Sequence, residues 1–132
     1  MIKGEYVFQY PSGHVELVRL DEALTYQQEL YPNMESFQSM DSVLLTNKGT
    51  WSLNERKITL YDWLWFSVGG GPMIPDLFPR QGSFMGIGWI APTSNDPALL
   101  EFVGDYPYYF VRVADRNNLP PGITEQAMRH KR

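Results

Sequence analysis

Three consecutive glycines, Gly69, Gly70 and Gly71, followed by Pro72, Pro75 and Pro79, rule out any long regular element through the middle of this chain. Glycine frees the backbone to take positive φ, while proline fixes φ and removes a hydrogen-bond donor. The break follows the most apolar run of the sequence, Leu60, Tyr61, Asp62, Trp63, Leu64, Trp65 and Phe66. The fold must therefore be built from short elements on either side of residues 69–82. Met73, Ile74, Leu77, Phe78 and Arg80 lie among the prolines. A stiffened loop that carries apolar side chains loses little entropy on binding, so this stretch is the expected binding edge.

At 132 residues, 43% hydrophobic and 14% aromatic, the chain has the material for one packed core. One domain is expected over residues 1–122, with a basic tail over 123–132. The net charge of −4 argues against a phosphate-binding surface, so no direct nucleic-acid partner is expected. The chain has no cysteine, which removes disulfides, thiolate nucleophiles and cysteine-based zinc sites. No apolar leader follows Met1, and no run approaches the roughly 20 apolar residues of a membrane helix. A soluble, cytoplasmic protein is expected.

Glu5 to Tyr10 is rich in strand formers, and Val15 to Leu20 alternates with Val15, Leu17 and Arg19 on one face. With Pro11, Ser12, Gly13 and His14 between them, they read as a hairpin. Residues 21–30 read as a helix capped by Asp21 and stopped by Pro32. Residues 42–46 and 50–53 read as a second hairpin turning at Asn47, Lys48 and Gly49. Thr59 and Asp62 have capping-box spacing, which predicts a buried helix over 60–67; a buried strand is the alternative, because periodicity does not separate the two in so short a run. Residues 83–91 read as a strand, 96–103 as a helix capped by Asp96, and 108–113 as a strand. The pattern is α+β: a mostly antiparallel sheet with two or three short helices.

No catalytic motif emerges. Gly86, Gly88 and Ala91 fit a dinucleotide fingerprint, but they sit inside a strand pattern and Pro92 follows where a helix should continue. His14 and His130 have no partner at metal-ligand spacing, so neither metal nor cofactor is expected. Asp62 is the carboxylate whose apolar setting would shift its titration, with helix capping as the competing role. Asp21, Glu22, Glu29, Glu35 and Asp41 fall in a span without lysine or arginine, an acidic surface suited to a basic partner. The expected function is protein binding, of the kind performed by inhibitors, immunity proteins and phage or mobile-element accessory proteins. The alternatives are a small enzyme with a carboxylate-based site near Asp62, Asp76 and Arg80, and a structural subunit of an assembly.

Overall fold

The computed structural model describes residues 3–10, 12–55, 57–65, 80–82, 85–90, 99–102 and 109–123. The strands β1 (Gly4–Gln9), β2 (Val15–Leu20), β3 (Thr25–Tyr31), β4 (Leu45–Asn54), β5 (Lys57–Leu60), β8 (Met85–Ile90), β9 (Leu99–Phe102) and β10 (Tyr109–Val113) form a closed barrel. Every pairing is antiparallel, each strand lies beside its predecessor in the barrel, and β10 closes the ring against β1. Between β5 and β8 the chain makes a separate two-stranded ribbon, β6 (Trp63–Trp65) with β7 (Arg80–Gly82). One helix, α1 (Met34–Ser39), joins β3 to β4, and a helical turn occupies residues 121–123. Among the described residues the architecture is thus a curled antiparallel sheet, a two-stranded ribbon and two short helical segments, in keeping with an α+β chain.

The first hairpin forms as the sequence predicts. Its turn is held by Tyr10 N–H donating to the His14 carbonyl and Gly13 N–H to the Tyr10 carbonyl, both at 2.8 Å. Gly13 takes φ 98°, which a side chain would resist. The helix expected over 21–30 does not form. Asp21 does bond nearby donors, the N–H groups of Ala23 and Thr25 and the Thr25 hydroxyl, but these close a turn rather than cap a helix. Beyond it β3 alternates, with Tyr26, Gln28 and Leu30 buried, because strands on both sides supply its ladder. Tertiary pairing outweighs the mild helix preference of Gln and Glu.

The hairpin expected at Asn47–Gly49 is also absent. These residues lie within the ten-residue strand β4, and the chain reverses instead at Glu55, which takes φ 58°. Within the span expected as a helix over 60–67, residues 60–65 do not form one, and 66–67 lie outside the described residues. Leu60 ends β5, Tyr61 and Asp62 make a turn in which Asp62 takes φ 62°, and Trp63 opens β6. Asp62 is therefore a turn residue and not a helix cap. Of the helix expected over 96–103, residues 99–102 instead form β9, which has β8 on one side and β10 on the other; 96–98 and 103 lie outside the described residues. The predicted strands at 83–91 and 108–113 appear as β8 and β10.

Apolar side chains pack in two layers. Inside the barrel lie Tyr6, Phe8, Tyr26, Trp51, Trp63 and Phe110, among others. Trp63 sits 5.9 Å from Tyr26 and 6.3 Å from Phe110 between ring centroids, so the chain leaving β5 turns inward and fills the barrel end with an indole. Outside, Val7, Val15, Leu17, Val111 and Val113 pack under Phe37 of α1 and under Ile123. Ile123 falls where the sequence predicts the tail to begin, yet it is fully buried; residues 124–132 lie outside the described residues. Among the described residues, no helix is long and apolar enough to cross a membrane.

Candidate functional site

Strand alternation decides which polar groups enter the barrel. The register pairs Tyr6 with Val18 and Phe8 with Glu16, so Glu16 shares the inner face with Val18 and Leu20. Glu16 is 1% exposed. Both carboxylate oxygens are engaged: Oε1 accepts from the Tyr10 hydroxyl at 2.5 Å, and Oε2 from Gln28 Nε2 at 2.7 Å. Gln28 Oε1 accepts in turn from Asn47 Nδ2 at 3.1 Å, and the same Nδ2 donates to the Asp62 carbonyl at 2.9 Å. The result is a polar ladder across β2, β3 and β4, running from a buried acid to an exposed turn.

Burial pushes Glu16 up to about 7 from an ordinary 4.5, against the lowering effect of the bonds from Tyr10 and Gln28. The folded chain thus holds this proton more tightly than the unfolded chain does. Glu16 contributes stability that is full below about pH 4.5 and is lost as pH rises through about 7. The loss is expected to be on the order of 3 kcal/mol. Urea midpoints measured across that window should fall with pH in the wild type and stay nearly level in Glu16→Gln; equal slopes would exclude Glu16 as the source.

A second polar cluster lies on the outer wall. Arg116, buried after β10, donates to the Phe37 carbonyl at 3.0 Å and the Tyr31 hydroxyl at 3.3 Å. Its guanidinium lies 4.7 Å from the Phe37 ring centroid and approaches Glu29 at 3.8 Å and Glu5 at 3.9 Å. It ties β1, β3 and α1 to the segment after β10, a structural clamp rather than an open site.

The acidic residues singled out by sequence are dispersed. Asp21 closes the β2–β3 turn, where the Thr25 hydroxyl holds its carboxyl below the usual range. Glu22 pairs with Lys3. Glu29 belongs to the Arg116 cluster, Glu35 lies in the first turn of α1, and Asp41 is exposed just past that helix. Asp62 is exposed. Met73, Ile74, Asp76, Leu77 and Phe78 lie outside the described residues, and Arg80 is placed only by its backbone pairing with Trp65. Among the described residues, no group of three His, Cys, Asp or Glu side chains could hold a metal ion. His14 Nδ1 lies 2.8 Å from the Ser12 hydroxyl.

Sequence reasoning missed Glu16 because it placed Val15 and Leu17 on the core face. Both faces of β2 are in fact covered, and the second apolar pair, Val18 and Leu20, was the signal that Glu16 shares a buried side. It also missed the exposed apolar residues Met40, Val43 and Leu44 between α1 and β4. No family model, no curated protein and no solved structure matches this chain.

Proposed function

We propose that this chain is a protein-binding module that works through one end of its barrel. The observation that carries this reading is the connection from α1 to β4, where Met40 is 67% exposed, Val43 44% and Leu44 42%. Three large apolar side chains within five residues, all facing water, form the kind of patch that marks an interaction surface. This connection leads into the start of β4, where Asn47 holds the Asp62 carbonyl and the chain enters β6. The patch and the turn that opens β6 therefore share one end of the barrel. The interior is packed with aromatic rings, which leaves recognition to the surface.

Glu35 and Asp41 add negative charge near the patch, and the sequence has no lysine or arginine from residue 20 to residue 47. A basic protein is the partner this charge favours. The alternative of an enzyme with a carboxylate-based site draws no support from Glu16, which is sealed from solvent.

Affinity capture with the full chain, followed by cross-linking and mass spectrometry, identifies the partner and the residues it touches. Two double variants then test the surface: Val43→Ser with Leu44→Ser, and Leu77→Ser with Phe78→Ser. Each is expected to weaken binding at least about tenfold, roughly 1.4 kcal/mol, with little change in melting temperature. Full affinity in both variants would reject the reading.

A further inference from the structure

The ladder from Glu16 to Asp62 has a direction. A carboxylate only accepts, so ionised Glu16 requires Gln28 to present its amide N–H. That turns Gln28 Oε1 toward Asn47, which must then present Nδ2, and the second hydrogen of that amide reaches the Asp62 carbonyl. We propose that the ionisation of Glu16 sets the direction of this ladder and thereby the seating of the turn at residues 61–62, so that the end of the barrel responds to proton concentration. A neutral acid can donate as well as accept, so protonation lifts the requirement on Gln28 and, through it, on Asn47.

Among the described residues, the turn that the ladder reaches has few other ties. The Tyr61 carbonyl accepts from the Tyr26 hydroxyl at 2.7 Å, and Tyr61 N–H donates to the Thr50 carbonyl at 2.9 Å. The next residue is Trp63, whose indole fills the barrel end. A change in the hold on Asp62 therefore acts directly on the segment that positions β6.

The surroundings of Glu16 leave few competing charges. From β1 and its turn it meets Phe8 and the Tyr10 hydroxyl, and from β3 it meets Leu30 and Gln28. Among the described residues, no lysine, arginine or histidine pairs with it, and Tyr10 is the one titratable group bonded to it. At the far end of the ladder the titratable groups are Tyr61, Asp62 and Tyr26, and burial followed by the Asp62 charge raises Tyr26 further above its ordinary 10. His14, at the mouth of the first hairpin, is lowered by burial and is the group whose titration could overlap.

The test uses the isolated chain and does not depend on any binding partner. Carbon- and nitrogen-labelled protein is titrated by NMR from about pH 5 to pH 9, the range in which such shifted groups change charge. The Glu16 carboxyl, the Asn47 side-chain amide and the backbone amides of Asp62 and Trp63 are expected to move with one shared midpoint. His14→Gln should leave that midpoint unchanged. Glu16→Gln should abolish the movement at residues 47, 62 and 63. Asn47→Ala should let Glu16 titrate while residues 62 and 63 stay still, and this arm decides the matter if Glu16→Gln does not fold. A Glu16 carboxyl that does not titrate in this range overturns the proposal. So does one that titrates while residues 47, 62 and 63 stay fixed in the wild type, or movement at residues 62 and 63 that survives Asn47→Ala.

Discussion

Replacing Gly49 by alanine is expected to destabilise the fold by about 3 kcal/mol, at the upper end for overpacking in a closed core. A Cβ at this position would lie 2.3 Å from the Tyr61 carbonyl oxygen and 2.6 Å from the Tyr26 ring. The first contact is with backbone, so no rotamer change relieves it. Tyr26 cannot simply swing away either, since its hydroxyl donates to that same Tyr61 carbonyl and its ring packs against Trp63. Alanine restricts the unfolded chain, which favours folding by only about 0.4–1 kcal/mol and does not offset the clash. Equilibrium urea unfolding measures the difference; an unchanged midpoint would mean that the inward turn at Tyr61 does not cross Gly49 as described.

Trp63→Ala is expected to have a comparable or larger effect, a loss of roughly 3–5 kcal/mol. The indole is buried to 1% exposure and touches rings from β3 and β10, on different parts of the barrel wall. Truncation removes that shared contact and leaves a void at the barrel end that the surrounding rings, fixed to separate strands, cannot collapse to fill. A thermal melt indistinguishable from wild type would show that Trp63 is dispensable to the core. Trp63→Phe should recover part of the loss, because a ring would still reach Tyr26.

What could be read from the sequence follows from the range of the forces involved. The first hairpin was legible because its alternation and its turn residues are local. The strands at β8 and β10 were legible because their apolar runs suit a pleated ladder. Residues 21–30 and 96–103 misled because their caps are also local signals: Asp21 bonds the donors just after it in a turn as readily as in a helix. What overrode them, a partner strand on each side, is a property of barrel closure that no window of ten residues contains. Gly49 misled in the same way. Asn-Lys-Gly reads as a reversal, but the glycine is there so that a residue twelve positions later can pass close by. Among the candidate site residues, the charge of the 21–41 span was evident, yet its dispersal among a turn, an ion pair, the Arg116 cluster and α1 was not. Glu16 was hidden because one strand, covered on both faces, offers two equally apolar sides.

The closing of the ring by β10 against β1 has a consequence for how the chain reaches this state. Glu5 pairs with Val113, so the last wall contact spans nearly the whole sequence. Until residues 109–113 are available, the curled sheet has two open flanks, β1 and β9, each with a row of unpaired backbone groups able to accept a foreign strand. Ordering so distant a contact is slow compared with forming hairpins. The nascent chain is therefore most prone to self-association in the interval just before β10 arrives, and the same pairing that completes the barrel ends that exposure.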